Sequence, residues 1–309
     1  MEKRKIGSLE VSLAGLGCNN FGWRIDAEGT AAVVTAAIES GINFFDTADI
    51  YGSGQSEEFL GRALKGRRDK VLIATKFGMK MADGKEGAKP AYIRQAAEDS
   101  LRRLGTDHID LYQIHQPDVS TPIADTLGAL NDLVKVGKVL EIGCSNFSAE
   151  QLREAAASRG GGARFVSVQN NYSLLHREPE AEVLPECKRL GMAFLPYFPL
   201  ANGLLTGKYR KGQPFPKSSR GEDGFGPKVF TDKNLALADD LRRIAESRGH
   251  TLLELAMAWL SSNNSVASVI AGAKTPEQVK ANASAVAWRL TEADLAAVEG
   301  ILTSKASHG

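Results

Sequence analysis

Asp46, Tyr51, Lys76 and His115 bring together a carboxylate, a phenol, an ammonium and an imidazole, the groups needed to move a proton. Each lies at or just past the end of a strongly apolar, β-branched or aromatic run: NFFDTADIYG (43–52), VLIATKFG (71–78) and IDLYQIHQPD (109–118). Delivering a hydride to a carbonyl carbon leaves the oxygen in need of a proton. A phenol with a pKa of about 10 is a reluctant acid at neutral pH. A neighbouring ammonium stabilises the phenolate and lowers that pKa, which Lys76 could do for Tyr51. Asp46 would keep the lysine charged and oriented, and a neutral His115 could hydrogen-bond the carbonyl oxygen. Taken singly, each has a plainer role. A tyrosine can pack its ring and satisfy its hydroxyl, Asp46-Thr47 can tether a loop, Lys76 can snorkel or pair, and His115 can be a satisfied structural histidine. Together at three strand ends they are hard to read as packing.

Those ends must share one mouth, and the rest of the chain supplies the frame. Lys5-Ile6 and Val11/Leu13 alternate around Gly7-Ser8 as a short β-hairpin would. Strand and helix patterns then alternate. LAGLGCNN (13–20) precedes a helix opening near Asp26, and 44–46 precedes one from Ser56. VLIATKF precedes one from Pro90 to about Gly105, and IDLYQIH one after Pro122. VLEIGCSN (139–146) leads to a capping-box start at Ser148, and RFVSVQNNY (164–172) to a helix around 178–190; MAFLPYFPL (192–200) and VASVIAGA (266–273) complete the set. Eight such units predict a (β/α)8 TIM barrel with an N-terminal β-hairpin, as one domain over 1–309, with the site at the C-terminal ends of the strands. No Gly-x-Gly-x-x-Gly opens a first β-α unit, which counts against a Rossmann domain. The connection 201–231 is long and rich in Gly, Pro and Lys; such a segment is a lid or a solvated loop, and its place after the seventh strand suits a phosphate.

With 309 residues, 43% of them hydrophobic, the chain can bury a full core. A formal charge of +1 argues against a nucleic-acid surface. The start has no apolar signal region and no apolar run approaches membrane-spanning length. Cys18, Cys144 and Cys187 lack metal-ligand spacing and suit reduced thiols. The expectation is a cytoplasmic protein with no metal and no membrane or nucleic-acid partner.

Asp46-Thr47-Ala48-x-x-Tyr51-Gly52, Ala74-Thr75-Lys76 and Gln113-x-His115-x-Pro117-Asp118 resemble the aldo-keto reductase superfamily. So do Gly143-x-Ser145-Asn146-Phe147, Gln169-Asn170-x-Tyr172, Pro199-Leu200-x-x-Gly203-Leu204-Leu205-x-Gly207-Lys208 and Gly272-Ala273-Lys274-Thr275-x-x-Gln278-x-x-x-Asn282, in order along nearly the whole chain. The resemblance is to the short-tailed bacterial and plant-type branch, and also to potassium-channel β subunits. It implies a TIM barrel binding NADP(H), with Asp46, Tyr51, Lys76 and His115 as catalytic tetrad and Tyr51 as proton donor.

By the same resemblance, Ser145, Asn146 and Gln169 would hydrogen-bond the nicotinamide carboxamide and Tyr197 would stack on its ring. Phe198 stands where a serine is common, so backbone amides of 198–203, including Leu200 and Gly203, would serve the pyrophosphate beside Gly272. Lys208 and Arg220 look like its basic clamps, while Arg210 and Lys211 read as a solvated charge face. Lys274 falls near the adenosine 2′-phosphate; Gln278 replaces a common arginine, Ala281 an acidic residue, and Asn282 is retained. Phe21, Trp23, Phe77 and the stretch around Pro117-Asp118 are the candidate substrate walls, suiting an aromatic or hydrophobic carbonyl. The short segment after the helix near 291–301 implies an open site. The expected substrate is a small carbonyl or alcohol. Two other readings stay open: a sugar or alcohol dehydrogenase working oxidatively, and a nicotinamide-sensing regulatory subunit. Oligomeric state is not legible.

Overall fold

A computed structural model describes residues 1–81, 85–217, 219–222 and 228–306. The chain opens with the antiparallel hairpin β1 (Lys3–Ile6) and β2 (Leu9–Ser12), turning at Gly7 with φ +58°. Eight parallel strands follow: β3 (Ala14–Gly17), β4 (Phe44–Asp46), β5 (Leu72–Phe77), β6 (Ile109–Ile114), β7 (Val139–Ser145), β8 (Phe165–Asn171), β9 (Ala193–Tyr197) and β10 (Val269–Gly272). Each pairs with its neighbour in sequence, and β10 returns to pair with β3. The remaining seam closes through one parallel bridge, Phe194 to Val266, with Phe194 N–H donating to the Ser265 carbonyl at 2.7 Å. Helices cover the outside, so both faces of the sheet are buried, as parallel pairing demands.

Local sequence sets the helix starts. Asp26, Ser148, Thr231, Thr251 and Thr275 each accept a backbone N–H as N-cap, and Ser148 and Thr251 complete capping boxes with Gln151 and Glu254. Pro90 occupies the first turn of Pro90–Leu104, and Gly105 ends that helix in the left-handed region. Two expected elements differ in detail. The segment 178–190 splits into a 3-10 turn, Glu178–Glu180, and the helix Val183–Leu190. The last helix runs from Glu292 to Ala306, past the expected 301.

The barrel interior is layered. Phe44, Ala74, Leu111, Leu195 and Ile270 fill its lower part together with Ile6, Leu9 and Val11, so the hairpin plugs the N-terminal end. Arg4 latches the hairpin by donating to the carbonyls of Ser261, Asn263 and Val266 at 2.8, 3.1 and 2.6 Å. No helix among the described residues is long and apolar enough to cross a membrane.

The outer layer leaves little slack at Gly61, where a Cβ would lie 2.3 Å from the Leu104 carbonyl oxygen of the neighbouring helix. Gly61→Ala should lower stability by about 1–3 kcal/mol through forced backbone separation. Gly128, in the helix Ile123–Lys135, is exposed with open space around it. Gly128→Ala should therefore stabilise by about 0.5–1 kcal/mol. Urea unfolding checks both through opposite shifts of midpoint at constant slope.

Candidate active site

Side chains on a strand alternate between faces, so the residue two beyond each apolar interior position also points inward. Phe44 is followed by Asp46, Ala74 by Lys76, and Leu111 by Gln113 and then His115. Tyr197 follows Leu195 in the same way. The register sets Lys76 beside Gln113 and Ser145 beside Gln169. A polar layer thus sits directly on the apolar plug, at the strand ends where the helices no longer crowd the axis.

The Lys76 ammonium, fully buried, donates to Asp46 Oδ2 at 2.6 Å and to the Thr47 carbonyl at 2.9 Å. Asp46 Oδ1 accepts from Gln169 Nε2 at 2.9 Å and from Gln113 Nε2 at 3.3 Å. The Tyr51 ring lies with its centroid 5.2 Å from Lys76 Nζ and meets His115 edge-on at 5.8 Å. His115 is anchored by its N–H to the Phe77 carbonyl at 2.8 Å, and its Nδ1 is buried with no hydrogen-bond partner in the protein. The four expected residues are brought together.

Electrostatics assign their resting states. Burial works against the charge on Lys76, but Asp46 and Tyr51 together hold its pKa above the ordinary lysine value. Burial raises Tyr51 above an ordinary phenol, and the Lys76 charge only partly offsets this. The expected net lowering is not found: Lys76 does lower the phenol's pKa, but burial and the Asp46 charge outweigh it. Burial and the Lys76 charge push His115 down to about 3, so the imidazole is neutral.

A trough of about 330 Å³ runs from Asp46 and Tyr51 outward between β9, β10 and the loops above them. Gln169, Tyr197, Phe198, Leu200, Gly203, Lys208, Arg220, Gly272, Lys274, Gln278 and Asn282 all line it. Phe198, Ala201, Asn202 and Gly203 have φ of +52°, +45°, +56° and +94°, a left-handed run that bends the backbone into a cradle on the trough wall. Arg220 donates to Asn202 Oδ1 at 3.2 Å, with its guanidinium 5.8 Å from the Phe198 ring. Gln278 accepts the Lys274 N–H at 2.8 Å, so its amide oxygen is spent on the loop. Ser145 and Asn146 line a second, wider recess of about 670 Å³ that shares Tyr51, Gln169, Tyr197 and Phe198 with the trough. Ser145 Oγ donates to the Gln169 carbonyl at 2.7 Å, and Asn146 Oδ1 accepts from Tyr197 Oη at 2.8 Å.

Three expectations need correction. Phe21 and Phe77 line neither recess; both are fully buried, and Phe77, next to Lys76 on β5 and so on the opposite face, packs on Tyr112 at 4.8 Å. Only Trp23 of the three aromatics stands at the mouth, 54% exposed. The wider recess is also walled by Ile50, Ser53, Met79 and Gln116. Arg210 is not a solvated charge: its guanidinium donates to the Gly207 carbonyl and, at 3.0 Å, to that of Tyr209. Sequence reasoning also missed Gln113 as a support for Asp46, and Arg24 and Asn20 on the trough wall. The signal for Gln113 was its even spacing from His115; none existed for Arg24. Among the described residues no acidic, His or Cys cluster could hold a metal.

The profile described as "Aldo/keto reductase family" matches residues 14–303. "Probable aldo-keto reductase 1" of Glycine max is 35% identical over 94% of this chain and 86% of its own. "Aldo-keto reductase YhdN" of Bacillus subtilis (strain 168) is also 35% identical, over 97% and 92%. Among solved structures, the glycerol dehydrogenase AKR11B4 from Gluconobacter oxydans superposes with a TM-score of 0.86 at 32% identity, covering 98% of this chain and 95% of that one. The holo form of aldo-keto reductase AKR11C1 from Bacillus halodurans gives 0.82 at 34% identity, covering 97% and 96%.

The His115 pKa yields a direct test. Because the folded pKa lies below the ordinary 6.5, protonation favours the unfolded chain. The associated stability is present above pH 6.5 and is lost as pH falls towards about 3. Imidazole ¹⁵N NMR should show His115 neutral throughout the neutral and mildly acidic range; a resonance titrating near 6.5 would refute this assignment.

Proposed function

Since the chain belongs to the aldo/keto reductase family, we propose that it is an NADP-dependent oxidoreductase reducing aldehydes or ketones to alcohols, with Tyr51 as proton donor. The observation that carries this is Tyr51 beside a buried Lys76–Asp46 pair, at the point where the trough meets the wider recess. The family is one of oxidoreductases using nicotinamide cofactors on small carbonyl compounds. We take residues 1–309 to act as one barrel domain.

The trough fits a dinucleotide. The cradle at 198–203 offers backbone to a pyrophosphate, with Lys208 and Arg220 as cations beside it. Tyr197 presents a ring, fixed by its bond to Asn146, on which a flat heterocycle can stack. At the far end, Lys274 provides a positive charge next to the N-terminus of the helix Pro276–Ala285, where a 2′-phosphate is favoured. Asn282, buried beneath it, and Gln278 complete that wall. Ser145, Asn146 and Gln169 face the carboxamide end. All three are already engaged, Ser145 with the Gln169 backbone carbonyl, Asn146 with Tyr197 and the His115 carbonyl, and Gln169 Nε2 with Asp46, which leaves the Gln169 side-chain oxygen as an acceptor. A bound reduced nicotinamide supplies the hydride.

The remaining chemistry belongs to this chain. Neutral His115 can donate one hydrogen bond to the substrate oxygen and fix it against Tyr51. Tyr51 gives its proton to that oxygen as negative charge develops there, and Lys76 stabilises the phenolate formed. Asp46, held by Gln113 and Gln169, stops Lys76 from losing its charge to burial. A second reading, oxidation of a small polyol, is favoured by one structural relative, itself named a glycerol dehydrogenase. The same relay then runs backwards, with Tyr51 accepting the alcohol proton.

Tyr51→Phe should cut turnover with NADPH and a carbonyl panel by about 10²–10⁴-fold while NADPH binding, read by fluorescence quenching, stays unchanged. Wild-type turnover in the folded variant would remove Tyr51 from this role. Separately, Lys274→Ala should weaken NADPH and spare NADH, because only the former carries the 2′-phosphate. Salt should blunt the preference, as the contact lies at the rim. Equal losses for both cofactors would sink the NADP assignment.

A further inference from the structure

The motif Gln113-x-His115-x-Pro117-Asp118 ends in a carboxylate that lines neither the trough nor the recess. Asp118 instead joins two loops at the barrel mouth. Its Oδ1 accepts from the backbone N–H and from the hydroxyl of Ser120, at 2.9 and 2.6 Å. Its Oδ2 accepts from Thr121 Oγ1 at 2.8 Å and from the Ala88 N–H, also at 2.8 Å. Three of these donors belong to the turn after β6. The fourth belongs to the segment that runs from β5 to the helix Pro90–Leu104.

The bond to Ala88 is made at the neck of that segment. Beside it the Gly87 N–H donates to the Gly78 carbonyl at 2.9 Å, and Thr126 Oγ1 donates to the Ala88 carbonyl at 3.2 Å. Gly87 has φ +85°, and a Cβ there would lie 2.8 Å from Asp118 Oδ2, so glycine is what lets the carboxylate come this close. Met79 follows Gly78 directly and walls the recess, and Gln116, two residues before Asp118, walls it as well. The reacting groups are held by other bonds. The His115 N–H donates to the Phe77 carbonyl at 2.8 Å, and the His115 carbonyl accepts from Asn146 Nδ2 at 3.0 Å. Burial works against charge on Asp118, but the bonds from Ser120, Ala88 and Thr121 hold its carboxyl down at about 2. The junction is therefore a full carboxylate at neutral pH, and bonds to a charged acceptor are about twice as strong as those to a neutral one.

We propose that Asp118 is a positioning residue for the substrate: by tying the loop after β6 to the loop after β5 it fixes Gln116 and Met79 as walls of the recess, and so sets how tightly a carbonyl compound is held. Without the junction both walls can drift from the bound molecule while Tyr51, Lys76 and His115 keep their places. Wall contacts are made alike in the ground state and the transition state, so their loss raises KM and leaves kcat. The inference rests on the reading that the recess receives the carbonyl compound.

The test compares kcat and KM at saturating NADPH for a small aliphatic aldehyde and an aromatic one. Asp118→Ala should raise KM on the order of tenfold, the scale of losing one contact in a binding pocket, with kcat little changed. Asp118→Asn keeps one acceptor oxygen and should recover part of that loss. Gly87→Ala keeps every donor and acceptor but forces the loops apart, and should raise KM as Asp118→Ala does. NADPH binding, read by fluorescence quenching, should hold in all three, since none of these residues lines the trough. If Asp118→Ala does not fold, the other two variants carry the test. An unchanged KM in the folded variants, a fall in kcat alone, or an equal loss of NADPH binding would overturn the proposal. Met79→Trp checks the premise by filling the recess, and should raise KM more for the aromatic aldehyde than for the small one. If it moves neither KM, the reading of the recess falls and the proposal with it. If it raises KM while the Asp118 variants do not, the role of Asp118 alone is struck.

Discussion

An ammonium with no solvent exposure is the constraint on which the barrel's upper half depends. Removing one partner of such a buried pair typically costs about 3–5 kcal/mol, because the other charge is left uncompensated. Lys76 meets this with one carboxylate oxygen and one backbone carbonyl from the end of β4. The second oxygen of Asp46 is in turn filled by amides from β6 and β8. One carboxylate thus joins four strands across the barrel axis. A slip of a single residue in β5 would turn Lys76 into the helix layer, away from Asp46. The site and the strand register specify each other.

The same pair explains why the phenol is not simply acidified. Asp46 shares the Lys76 charge, and burial prevails at Tyr51. This makes the resting tyrosine a dependable carrier of its proton at neutral pH. In the proposed reduction its acidity matters only when charge begins to leave it, and the preorganised ammonium acts at that moment without reorganising. His115 follows the complementary logic. A positive imidazole would compete with Lys76, and burial beside that charge forbids it.

Much of this was legible because strands report their interior face by alternation. The even spacing of Phe44 and Asp46, Ala74 and Lys76, and Leu111, Gln113 and His115 places a polar layer over an apolar one, and the chain order of eight strand–helix units places it at one mouth. Caps were equally legible, since Asp26, Ser148 and Pro90 act through local chemistry. Reasoning failed where side-chain direction is set by loops. Phe21 and Phe77 read as pocket aromatics because they border the motifs, yet Phe77 sits one residue out of phase with Lys76 on β5, the loop carries Phe21 inward, and both belong to the packing behind the site. Arg24, which lines the trough, lies in a loop that holds an isolated parallel bridge between Phe21 and Ile25, a contact no periodicity encodes.

The two ends of the cleft therefore differ in how they are built. Along the trough, cradle backbone, helix N-terminus and buried amides are fixed by β8, β9, β10 and the segments that leave them, so the fit to a long charged molecule is a property of the framework. The recess above Tyr51 is walled by Trp23, Ile50, Ser53, Met79 and Gln116, from connections after β3, β4, β5 and β6. None of these side chains supports the Lys76–Asp46 pair. Their replacement changes what fits against Tyr51 without disturbing the charge arrangement that makes it react. On the proposed function, substrate range is free to vary on a proton relay that the barrel register holds constant.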